Sequence, residues 1–164
     1  MIPPAHLASG YLIYRAAASF GAEKDPMLLV LAFLGSFAPD IDALFFGKQI
    51  NNHRNTIFHT PFFWILLACI TLIFFLVFYP TLSSYPLVFF IGSLLHVFLD
   101  WTSARTGGVR LFYPFSKKER SLFPLSPEHG DVPLLPNKKH NHEYKHVWKF
   151  YFRNTLLLIL EISI

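Results

Sequence analysis

Eight residues carry the side chains that chemistry at a metal ion requires: His6, Asp40, Asp42, His53, Arg54, His59, His96 and Asp100. All but His53 and Arg54 interrupt or bound strongly apolar stretches, where an ionisable group is costly and therefore a functional candidate. His96 and Asp100 stand four residues apart, so on a helix they share one face and can grip one cation. Asp40 and Asp42, two apart, point away from each other on a helix. Asp40 is the expected ligand, and Asp42 belongs beside it or on a second ion. Histidines combined with carboxylates favour zinc, or manganese or iron, over magnesium, which takes all-oxygen sites. Six candidate ligands (His6, Asp40, Asp42, His59, His96 and Asp100) exceed what one catalytic zinc with an open position takes, and they suit two. Such a pair stabilises the attacking and leaving oxygens of a phosphoester. Arg54, next to His53, is then a natural partner for a phosphate oxygen.

These residues need elements that bring them together. The run from Pro61 to Tyr79 holds no charged residue and is long enough to cross a bilayer. Tyr79, Pro80, Ser83, Ser84 and Pro86 mark a turn, and a second span follows from Tyr85 to Trp101. Earlier, Ala5 to Phe20 reads as a short helix interrupted by Arg15. Asp25-Pro26 is a helix start, with Asp as cap and Pro at the first helical position, ahead of an apolar run from Met27 to Phe46. Gly47 to Thr56 is a polar loop. Four helices of alternating direction would put His6, Asp40/Asp42, His53/His59 and His96/Asp100 all at one end of the bundle.

Composition agrees with that fold class, an all-α integral membrane bundle of about four helices. Of 164 residues, 53% are hydrophobic and 15% charged, against about 25% charged in soluble domains. Intrinsic disorder is excluded. The single cysteine, Cys69, excludes a disulfide framework and a cysteine-based zinc finger. The net charge is +4, with most Lys and Arg beyond Trp101. Beside apolar spans, that pattern fits an anionic lipid surface rather than nucleic acid. The chain divides into a membrane domain carrying the site, 1–116, and a basic tail, 117–164, whose end from near Tyr144 reads as an interfacial helix. His129, His140, His142 and His146 read as part of a solvated tail. The opening Met1-Ile2-Pro3-Pro4 lacks the features of a cleaved signal peptide.

The order of His6, "PDID" at 39–42, "HRNTIFHT" at 53–60 and "HVFLDWTSARTGGVRLFYPF" at 96–115 resembles the bacterial inner-membrane metal-dependent hydrolases associated with LexA regulation. The likeness covers roughly residues 4–116. Asn55 and Thr60 depart from the family's Gly and Ser, and the histidines stand one residue further apart, which leaves His53 and His59 as alternatives. A more distant similarity is to zinc-dependent phospholipase C and related single-strand nucleases. Together these imply that His6 holds one metal, that Asp40, His53 or His59, and His96 hold the other, and that Asp100 bridges.

The expectation is a multi-pass inner-membrane hydrolase acting on a phosphoester of a lipid or lipid-linked substrate. A metal-ion transporter and a non-catalytic membrane protein clamped by metal are the alternatives. Positive charge gathered at the ligand-bearing end predicts that this end faces the cytoplasm.

Overall fold

Asp25 starts the helix that the sequence assigns to it. Its side chain accepts the Met27 N–H at 2.8 Å and Pro26 occupies the first turn, where a missing N–H removes no intrahelical bond. The computed structural model describes residues 3–20, 25–41, 56–103, 108–120 and 122. Within these the chain is helical: α1 (Pro3–Ser19), α2 (Pro26–Phe37) continuing into a 3-10 turn (Ala38–Asp40), a second 3-10 turn (Ile57–His59), α3 (Pro61–Phe78), a third 3-10 turn (Pro80–Leu82) and α4 (Ser84–Ser103).

Two details differ from the sequence reading. α1 begins at Pro3 rather than Ala5, because proline is tolerated in a first turn. Pro86 belongs to the first turn of α4, not to the preceding loop, for the same reason.

α4 is the hub, packing on α1, α2 and α3. Ile13, Leu28, Ala32 and Val88 join α1, α2 and α4, while Trp64, Ala68, Phe90 and Val97 join α3 to α4. Tyr85 donates its hydroxyl to the Asp25 carboxylate, so the first turn of α4 is tied to the start of α2. The two helices run parallel from that tie to Asp40 and Asp100. α1 and α3 run the other way.

α3 leaves most of its surface uncovered: Ile70, Ile73, Leu76, Val77 and Phe78 are exposed. Such a face is untenable in water but ordinary against lipid. Pro61–Phe78 and Pro80–Thr102 are long and apolar enough to cross a membrane, whereas α1 has 17 residues and α2 has 12. Beyond α4, Val109 and Arg120 exchange backbone hydrogen bonds. The 116/117 boundary drawn from sequence falls inside that closed loop.

Candidate metal centre

The site begins with a proline. Pro39 has no N–H, so the Gly35 carbonyl accepts from Ala38 N–H instead, and the chain tightens into the 3-10 turn that carries Asp40. Carbonyls in the last turn of a helix lack intrahelical donors. The carbonyl of Ser36 takes one from another helix: His96 Nδ1 lies 2.6 Å from it. A carbonyl only accepts, so Nδ1 carries the proton, and in the neutral ring Nε2 presents its lone pair.

That lone pair faces two carboxylates. His96 Nε2 is 3.4 Å from Asp40 Oδ1 and 3.6 Å from Asp100 Oδ2. His59 Nε2 stands over the same two oxygens, at 3.3 Å and 3.7 Å. One donor atom from each of these four residues lies within 4.8 Å of all the others. His6 approaches from the other side. Its Nε2 is 3.7 Å from Asp100 Oδ1, and its ring stacks on that of His96 at 3.8 Å. Asp100 thus offers one oxygen to His6 and the other to His59 and His96.

The donor set fits a divalent cation. His96 Nε2 is buried without a hydrogen-bond partner. A lone pair and a carboxylate oxygen are both acceptors, and neither satisfies the other without a positive centre between them. The separations of 3.3–3.7 Å exceed those of ordinary N–H···O bonds. They approach the roughly 3.4 Å that separates donors on a tetrahedral ion with bonds of about 2.0–2.1 Å. His6, His59, His96 and Asp100 are almost wholly buried, whereas the Asp40 side chain is 33% exposed. Ile41, next to Asp40 in the chain, and Ile57, two residues before His59, are both exposed.

Close helix approach holds the donors in place. A Cβ on Gly35 would overlap the carbonyl oxygen of Phe89 and lie 2.9 Å from its carbon, and one on Gly92 would lie 3.0 Å from Ser36 N. Gly92 precedes His96 by one turn, so glycine-to-backbone contact sets the reach of His96 to Ser36. On the other flank, Trp64 Nε1 donates to the Phe58 carbonyl at 2.6 Å, pinning the turn that carries His59 to α3. Thr60 bonds back to Ile57 and is itself buried.

Of the residues singled out in the sequence, His6, Asp40, His59, His96 and Asp100 come together. Asp42, His53 and Arg54 lie outside the described residues, as do the tail histidines and the helix expected near Tyr144. Of the alternative histidines, His59 lies at the cluster, and His53 is outside the described residues. The sequence reading missed Ser36, Trp64, Gly35 and Gly92. Gly92, one turn ahead of His96, was the one available signal.

Comparison with known families matches residues 1–160 to the YdjM inner membrane protein family. Comparison with curated proteins and with solved structures finds no match.

Proposed function

The chain belongs to the YdjM inner membrane protein family, and from that premise we propose a metal-dependent hydrolase that cleaves a phosphoester of a lipid or lipid-linked substrate. The observation that carries the reading is the convergence of two imidazoles and two carboxylates with one exposed edge. A closed structural site for zinc takes four ligands and is sealed. Here His6 adds a fifth donor on the far oxygen of Asp100, and the Asp40 side chain is partly exposed.

Asp40, His59, His96 and Asp100 would hold one zinc ion, and His6 with Asp100 would share in a second. Manganese and iron suit the same donors. Zinc there supplies a Lewis acid that acidifies water and polarises a phosphoryl oxygen. The protein's own part is positional. Ser36 fixes the tautomer of His96, Asp100 spans both sides of the cluster, and the three histidines are buried while the Asp40 side chain is partly exposed. The exposed Ile41 and Ile57, close in the chain to Asp40 and His59, suit the apolar part of an amphiphile. Asp42 and Arg54 contribute a further carboxylate and a phosphate-binding guanidinium, a role assigned from sequence.

A transporter would hold its ions near the midplane, whereas Asp40 and Asp100 stand at helix ends. The proposed topology is multi-pass, with the site facing the cytoplasm.

The test is purified protein in nanodiscs, stripped with chelator and reloaded with zinc, offered bis(p-nitrophenyl) phosphate and a fluorogenic phospholipid. Zinc-restored cleavage is expected. Full zinc loading without cleavage of either compound refutes the hydrolase, and zinc flux into proteoliposomes would replace it with the transporter.

A further inference from the structure

Past α4 the chain makes a loop whose base and tip have opposite character. At the base, Val109 N–H donates to the Arg120 carbonyl at 2.8 Å and Arg120 N–H returns to Val109 at 3.0 Å. Val109 is fully buried with Trp64, Ala68, Phe90 and Val97, and Leu122 N–H bonds the Trp101 carbonyl at 3.0 Å. A Cβ on Gly108 would meet Arg120 backbone atoms at 2.5–2.6 Å, so the two arms are in direct backbone contact. The base is part of the helical core.

The tip is held outward. Tyr113 N–H bonds Arg110 O and Ser116 N–H bonds Phe112 O, which reverses the chain there. Phe115 is 92% exposed and Phe112 53%. Around them stand Arg110, Lys117, Lys118 and Arg120 against one acid, Glu119, a net of three positive charges. Glu119 is engaged with Arg110 at 4.0 Å, and the Arg120 guanidinium lies 4.9 Å from the Phe112 ring centroid.

A fixed backbone that presents phenylalanine to the outside is unfavourable in water and favourable at the boundary of headgroups and acyl chains, where cationic neighbours meet lipid phosphates. The loop leaves from the end of a helix long enough to cross the membrane, so that boundary is at hand. We propose that the loop 109–120 is an interfacial anchor that inserts Phe112 and Phe115 into an anionic leaflet at the site-bearing end of the bundle. The inference is independent of any hydrolysis. Its structural consequence is depth control: Trp101, the point to which Leu122 is bonded, directly follows Asp100, so the anchor sets the level of the metal ligands relative to the lipid phosphates.

The test uses the full chain with Cys69→Ser and Phe115→Cys, labelled with a nitroxide and placed in nanodiscs containing phosphatidylglycerol. The expected result is an oxygen-to-nickel-chelate accessibility ratio severalfold above that of a label at Lys118→Cys. The ratio should fall when Lys117→Glu and Lys118→Glu are added, or when phosphatidylcholine is the sole lipid. A label as open to the nickel chelate as the one at position 118 overturns the anchor. A label shielded from both reagents also overturns it, since the tip would then be covered by protein, such as the apolar stretch 155–164. Equal insertion into both lipids overturns the anionic requirement.

Discussion

Gly35→Ala is the substitution that separates a site built by helix approach from one built by its ligands alone. The added methyl would overlap the Phe89 carbonyl oxygen and stand 2.9 Å from its carbon, where ordinary contact begins at 3.4 Å. The partner is backbone inside a helix, so it cannot swing aside. α2 and α4 must part by on the order of 1 Å, an overpacking that costs about 1–3 kcal/mol. The bond from His96 Nδ1 to Ser36, now 2.6 Å, would then exceed the range of a hydrogen bond. His96 would lose the group that fixes its tautomer. Loss of such a partner weakens metal binding by about 10–100-fold. The assay is zinc affinity by competition with a chromogenic chelator in detergent, alongside thermal unfolding. Leu34→Ala, on the exposed face of the same helix, serves as control and should leave affinity unchanged. Wild-type zinc affinity in Gly35→Ala would refute the dependence of the site on helix approach.

Asp100→Asn should abolish phosphoesterase activity and cut zinc content by more than His6→Ala, because Asp100 faces both halves of the cluster and His6 only one; equal zinc loss in the two variants would contradict that division. Tyr85 O–H and, secondarily, Met27 N–H hold the Asp25 carboxyl below its ordinary range. A depressed folded-state pKa adds stability above the unfolded value of about 3.9, and that contribution is lost as pH falls through the folded value. The Tm deficit of Asp25→Ala should therefore be constant near neutrality and narrow in acid below about pH 4, measured by thermal melts across pH. For orientation, single cysteines replacing Lys118 and Phe20 in a Cys69→Ser background lie at opposite ends of the bundle. In intact cells an impermeant maleimide should label position 20 and spare position 118, and the reverse pattern would put the site outside.

The parts of this fold that were legible in sequence rest on local rules. The charge-free run to Tyr79 and the Asp25-Pro26 start declare themselves through composition and capping, and alternating helix direction sorts His6, Asp40, His59, His96 and Asp100 to one end. Contacts between distant residues were not legible. Nothing near His96 in the chain names Ser36, 60 positions away, as its partner. Nothing near Gly35 shows that the Phe89 backbone lies against it. Pro39-Asp40 reads as a helix ending, but the tightening into a 3-10 turn depends on which Gly35 bond survives. The loop base at Val109 and Arg120 is equally a product of burial against Trp64 and Val97, which no local pattern encodes.

Anomalous diffraction at the zinc edge from zinc-loaded crystals shows whether the His/Asp cluster holds the catalytic metal. A peak is expected at about 2.0–2.1 Å from the Nε2 atoms of His59 and His96, shared with Asp40 and Asp100, and a second where His6 meets the far oxygen of Asp100. Zinc bound stoichiometrically to the protein with no peak among these residues would contradict it.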